Sequence, residues 1–181
     1  LGYGDNSPER LKNVFEEICK LEVEDDGLTF DSKSVRVQEI KENNIYHGQR
    51  IKLECFLGNA AINLQVDIGF GDAVTEKMER VTFPTLFDFP APKIRAYPLE
   101  SVISEKLHAM IVLGMSNSRM KDFYDIWMLS NSFSFDGEKS SKAIRATFLQ
   151  QKTDIPQNVP IALSDEFAND DNKARMWKAF T

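Results

Sequence analysis

A chain of 181 residues, 42% hydrophobic and 28% charged, holds enough apolar material for one domain or two small ones. Its net charge of −6 excludes a generally basic nucleic-acid binder but leaves room for a local basic groove. No apolar run reaches the roughly 18 residues needed to span a bilayer, and the well-separated Cys19 and Cys55 read as core residues, not as a disulfide or zinc site, which fits a reducing, cytoplasmic setting.

Leu1-Gly2-Tyr3-Gly4 reads as the exit from an element, and with no initiator methionine an N-terminal part is expected to be missing. Ser7-Pro8 is a helix start, the hydroxyl serving as N-cap and proline as the first helical residue. Leu11, Val14, Phe15, Ile18 and Leu21 then repeat at helical spacing, which predicts an amphipathic helix over 8–21. Strands follow at 28–30, 35–40, 50–57 and 60–70. Gly58-Asn59 joins the last two as a two-residue hairpin. Pairing Leu57 with Ala60 sets Cys55 opposite Ile62, Leu53 opposite Leu64 and Ile51 opposite Val66, all on one face. Arg50 then lies opposite Asp67.

Pro84, Pro90, Pro92 and Pro98 predict an extended connector over 84–98, since proline disfavours both helix and central strand. A helix over 98–113, stopped by Gly114, comes next. Further helices are expected over 120–129, 137–151 and 172–180, with a loop punctuated by Pro156 and Pro160 between the last two. This is an α/β (α+β) chain, with an α/β part over 1–95 and a helical half over 96–181.

Three places attract chemistry. Leu99, Val102, Ile103, Leu107, Met110 and Leu113 form an apolar stripe, and Lys106 falls in its middle. A lysine there must snorkel out, pair with a buried carboxylate or meet an anionic ligand, because an unpaired buried ammonium is very costly. His108 is expected on the solvent side and His47 in a turn, so neither reads as catalytic.

Asp67 lies on the polar face of its strand with Asn63 and Gln65. Pattern alone leaves two readings: a cross-strand ion pair with Arg50, or a rigidly mounted metal ligand with Gly69 leaving room beside it. In the segment Arg119-Met120-Lys121-Asp122-Phe123-Tyr124-Asp125, an apolar stripe leaves Lys121, Asp122 and Asp125 together on another side. Lys121 and Asp125 form a solvated i,i+4 pair on the plainest reading. Flanked by Ile126 and Leu129, however, the cluster looks like a polar notch in a buried helix, for which Lys106 is a natural partner.

At these three places the chain resembles the AbiEii/AbiGii toxin family of nucleotidyltransferases, within the polymerase-beta-like superfamily. The strand Leu64-Gln65-Val66-Asp67-Ile68-Gly69-Phe70-Gly71, the helix from Tyr97 to Ala109 and the segment from Arg119 to Ile126 fit its second, third and fourth motifs in order and spacing. The resemblance implies a nucleotidyltransferase-type mixed sheet with a flanking helix, followed by a helical half. It also implies transfer of NMP from an NTP to an acceptor, with Mg²⁺ and NTP as cofactors, a separately encoded antitoxin as partner, and tRNA as a possible acceptor. Asp67 would be a metal carboxylate and Lys106 would hold the triphosphate. Asp122 would orient Lys106 or the acceptor, Lys121 and Asp125 would support that network, and Arg119 would add a phosphate contact.

The family's first motif, a Gly-Ser turn followed by an Asp-x-Asp strand, is expected ahead of Leu1 and is not in this sequence; Asp5 is no substitute. The chain as given is therefore expected to be inactive in transfer. Two rival functions are a nucleotide- or partner-binding module without catalysis and a transferase acting on a small molecule such as an antibiotic.

Overall fold

The computed structural model describes residues 6–42, 46–70, 78–85 and 88–181. The chain forms two compact units, Leu1–Asp72 and Ala73–Thr181.

The first unit is a helix on a three-stranded antiparallel sheet. Helix α1 (Pro8–Ile18) is followed by β1 (Leu28–Glu42), β2 (Tyr46–Leu57) and β3 (Ala60–Gly69), in the spatial order β1-β2-β3. Helix α1 starts at Ser7-Pro8, but the serine side chain makes no capping bond. The first turn is closed by Leu11 N–H donating to the Ser7 carbonyl at 3.1 Å. The helix stops short of Leu21, which is exposed.

The two strands expected at 28–30 and 35–40 are one strand with a bulge between Asp31 and Arg36. Asp31 Oδ1 accepts the Lys33 N–H at 2.9 Å, and Ser34 Oγ accepts the Glu54 N–H at 2.8 Å, so side chains satisfy backbone groups that the ladder drops there. The β2–β3 hairpin has the expected register throughout, from Leu57↔Ala60 to Arg50↔Asp67. Its turn needs the left-handed region, and Gly58 supplies it at φ 57°.

Val35, Ile51 and Leu53 form the buried centre, with Phe15, Cys19, Phe30, Val37, Leu64 and Ile68 packed around it. Both cysteines are free, Cys55 buried and Cys19 half-buried, as expected of core residues. The His47 position falls inside β2 and not in a turn, and its side chain lies outside the described residues. The Leu1–Gly4 opening, Asp5 and Gly71 also lie outside them.

The second unit contains a short hairpin, β4 (Glu79–Thr82) pairing with β5 (Lys93–Ala96), whose second strand falls inside the extended connector expected over 84–98. The prolines permit it because Pro84, Pro90 and Pro92 all lie in the loop between the paired residues and remove no ladder donor. Helices α2 (Leu99–Leu113), α3 (Met120–Ser132), α4 (Gly137–Gln150), α5 (Asp165–Ala168) and α6 (Asp171–Phe180) follow. Gly114 ends α2 at φ 49°, and a Cβ added there would sit 3.2 Å from Ile161 Cγ2.

Of the apolar stripe of α2 only Met110 is fully buried, Leu99, Val102, Ile103, Leu107 and Leu113 being half-buried. The buried residues of the helix are Ser101, Ser104, His108, Ala109 and Met110, and it packs chiefly on α4, which buries Ala143, Thr147 and Phe148. Small side chains let the two helices approach, and two of the buried polar side chains find hydroxyl partners. Ser104 Oγ meets Thr147 Oγ1 at 2.8 Å, and His108 Nε2 meets Thr153 Oγ1 at 2.8 Å.

The His108 ring also stands edge-on to Phe148, with centroids 4.9 Å apart. His108 is thus a core residue and not a solvent-facing one. Hydropathy ranks serine and histidine as surface residues, so it gave no sign that Ser101, Ser104 and His108 are buried. Among the described residues no helix is long and apolar enough to cross a membrane.

Candidate functional site

The second unit assembles a charge cluster from α2 and α3. Lys106, on the flank of α2 and not at the centre of its buried face, reaches α3, where its Nζ lies 2.7 Å from Asp122 Oδ1 and 2.8 Å from Asp125 Oδ2. The Asp122 side chain is only 4% exposed and that of Lys106 20%. Asp122 Oδ2 has a second cation, Arg119 Nε, at 2.8 Å, a contact of ion-pair distance without aligned hydrogen-bond geometry. The buried carboxylate is therefore held between two cations, which is the condition for keeping a charge inside a protein.

Burial alone would push the Lys106 ammonium toward neutrality, but its bonds to Asp122 and Asp125 outweigh that and hold its pKa above the ordinary lysine value. Lysine stays charged here. Of its three N–H groups, two are used by the acids, which leaves one without an assigned acceptor among the described residues.

Local sequence fixes this geometry. Asn117 Oδ1 accepts the Arg119 N–H at 2.9 Å, which shapes the turn into α3, and Arg119 takes the N-cap position. Arg119 and Asp122 are then i,i+3 neighbours, while Asp122 and Asp125 are one turn apart on the side facing α2.

An open cleft of about 540 Å³ lies over the cluster, lined by Lys106, Arg119, Lys121 and Asp122 with an apolar wall that includes Met120, Met176 and Phe180. Three cations face one carboxylate in a chain whose net charge is −6. The lining suits an anion attached to an apolar or aromatic group. Lys121 is exposed and, among the described residues, forms no ion pair. The Lys121–Asp125 pair expected on the plainest reading is absent because Asp125 is taken by Lys106.

Asp67 belongs to the first unit and is held differently. Arg50 closes on it with both arms, Nε to Oδ1 at 2.8 Å and Nη2 to Oδ2 at 2.9 Å, and Gln65 Nε2 adds a bond at 3.3 Å. The Arg50 hydrogen bond is the main reason its carboxyl titrates below the usual aspartate range. With a side chain 44% exposed, this is the cross-strand ion pair that the register predicted. Among the described residues no group of three or more His, Cys, Asp or Glu side chains is arranged to hold a metal ion.

Sequence reasoning missed Asn117, Lys173 and the wall from α6. Asn117 was legible as a turn residue placed two positions before the N-cap of a helix. Nothing in the α6 pattern marked Lys173 as buried.

Compared with known proteins, the chain matches, over residues 1–181, the model of the family described as the nucleotidyl transferase AbiEii toxin of Type IV TA systems. No curated protein matches it, and no solved structure does.

Proposed function

The chain belongs to the AbiEii family of nucleotidyl transferase toxins of type IV toxin–antitoxin systems, and on that footing we propose that the cleft over Lys106 binds the triphosphate of an NTP. One observation carries the reading: an ammonium kept charged by two acids, Asp122 and Asp125, at a cleft where Arg119 and Lys121 bring the cations to three. Transfer of a nucleoside monophosphate needs the phosphate charge neutralised and the chain of phosphates held in line with the acceptor. Lys106 supplies a fixed charge and a remaining N–H, Arg119 and Lys121 extend the positive rim, and Asp122 and Asp125 set the direction in which the ammonium points. The apolar wall is the side on which a nucleobase would rest.

We propose for Asp67 the role of a magnesium carboxylate, acting with other carboxylates. Magnesium prefers octahedral oxygen coordination, and a single carboxylate with both oxygens on Arg50 does not make that site alone. No step is therefore routed through the ion. For the acceptor we propose a tRNA hydroxyl, with a separately encoded antitoxin as the opposing component in the cytoplasm.

The full engagement of Asp67 by Arg50 favours one second reading, a nucleotide-binding module without catalysis. Incubating the natural full-length protein with radiolabelled NTPs and total RNA decides between them. Label in RNA that disappears with Lys106→Met supports the transferase. Nucleotide binding without any label transfer supports the module, and no binding at all refutes both.

A further inference from the structure

Lys173 is the one charged residue of α6 that the described structure buries, at 6% exposure, and the proposed chemistry makes no use of it. Its Nζ donates to the Asn117 carbonyl at 2.7 Å and lies 5.1 Å from the centre of the Phe167 ring. An ammonium buried on a carbonyl and a ring face is an expensive way to fill space, since a methionine of similar length would need no hydrogen bonds there. What the lysine adds is a directed hold on Asn117.

Asn117 is itself fully buried. Its carbonyl accepts from Lys173 while its side-chain Oδ1 accepts from the Arg119 N–H at 2.9 Å. Arg119 Nε lies 2.8 Å from Asp122 Oδ2, and Asp122 Oδ1 receives Lys106 at 2.7 Å. An unbroken chain of polar contacts thus runs from α6 through the turn before α3 to the cleft. Its first member is anchored locally, because Asp170 Oδ1 caps the helix by accepting the Lys173 N–H at 2.9 Å.

We propose that Lys173 is a positioning residue for the nucleotide cleft: by clamping the Asn117 carbonyl it fixes Arg119 against Asp122 and so sets the cationic rim around Lys106. This deepens the nucleotide reading of the cleft and rests on it for its functional consequence. The local consequence, immobilisation of Arg119, stands independently.

The test compares wild type, Lys173→Met, Lys173→Arg and Lys106→Met in the full chain. The first readout is the Arg119 side-chain Nε–H resonance and the hydrogen-exchange protection of the Arg119 amide. The expected result is that Lys173→Met moves the Nε–H signal to the position of a free arginine and lowers amide protection at least tenfold. Amides of the α2–α4 seam should keep theirs, and Lys173→Arg should restore much of the wild-type signature. An unchanged Arg119 signal in Lys173→Met overturns the proposal, and so does an equal loss of protection throughout the unit, which marks a merely structural lysine.

The second readout is calorimetric binding of inorganic tripolyphosphate. Lys173→Met should weaken it roughly tenfold, and unchanged affinity overturns the functional half of the proposal. If wild type and Lys106→Met bind tripolyphosphate equally, the nucleotide reading itself fails, and the Arg119 signature still decides the positioning role.

Discussion

Lys106 and Asp122 stand 2.7 Å apart, the carboxylate almost wholly buried and the ammonium one-fifth exposed, and the acid helps to keep the lysine charged. Replacing the lysine removes that balance. In Lys106→Met the nucleotide cleft loses its fixed cation, and binding of NTP or tripolyphosphate should fall below detection by calorimetry. Asp122 retains Arg119, so the protein should remain folded, with a loss of about 1–3 kcal/mol in a urea titration. Retained phosphate affinity in a folded variant would rule out the clamp.

The same pair has a pH signature on the alkaline side. The Lys106 pKa is raised above 10.5 in the folded protein, so its stabilisation is complete below the unfolded value and is lost as pH rises through the folded one. Unfolding measured between pH 9 and 12 should show a destabilisation that Lys106→Met removes. An identical alkaline profile in the two proteins would contradict the assignment.

Arg50 and Asp67 offer a contrasting case. Their pair is half-exposed, so Asp67→Asn should cost only about 0.2–1 kcal/mol. The carboxyl is depressed by Arg50, so what it contributes is present above the ordinary aspartate range and is lost as pH falls through its lowered pKa. If Asp67 also serves magnesium, the variant should abolish magnesium-dependent transfer by the full-length protein at that small cost in stability. A transfer rate within twofold of wild type would leave Asp67 with the ion-pair role alone.

His108 gives the second unit an acid sensitivity. Burial holds its pKa below the ordinary 6.5, so the ring is neutral in the folded protein under conditions where the unfolded chain takes up a proton. Its contribution is intact above pH 6.5 and is lost as pH falls below that toward the folded pKa. His108→Gln should lower stability at pH 7.5 yet flatten the stability curve between pH 7 and 5. A curve parallel to wild type would place the acid response elsewhere.

Gly114 should tolerate no side chain. Its φ of 49° is unfavourable for other residues, and a Cβ would press on Ile161 at 3.2 Å. Gly114→Ala should cost about 1–3 kcal/mol, read as a lowered urea midpoint at unchanged slope. A neutral result would mean that the α2 terminus relaxes freely.

How far the sequence could be read differs between the two units, for physical reasons. The β2–β3 hairpin was legible down to individual cross-strand pairs because a period of two and a Gly-Asn turn allow a single register. The meeting of Lys106 with Asp122 and Asp125 was legible because charge in an oily setting demands a partner, and the next helix held the nearest one. The buried face of α2 was not. Ser104 meets a hydroxyl on α4, and His108 meets the Phe148 ring on α4 and the Thr153 hydroxyl just beyond it, and hydropathy carries no information about a partner's chemistry. The β4–β5 hairpin was hidden by prolines that turned out to sit in its loop. Lys173 was hidden because its acceptor is a backbone carbonyl 56 positions away, which has no residue type to betray it.

The ion cluster has one more property. Lys106, Arg119, Asp122 and Asp125 all come from two consecutive helices joined by a short connector, so cations and counter-ions travel together on a single hairpin of chain. Closing so small a loop costs little entropy, which lets this segment assemble early and independently of long-range strand pairing. The charges of the cluster are thus balanced within one stretch of chain, while its cationic rim takes its final position only when α6 docks Lys173 on the Asn117 carbonyl.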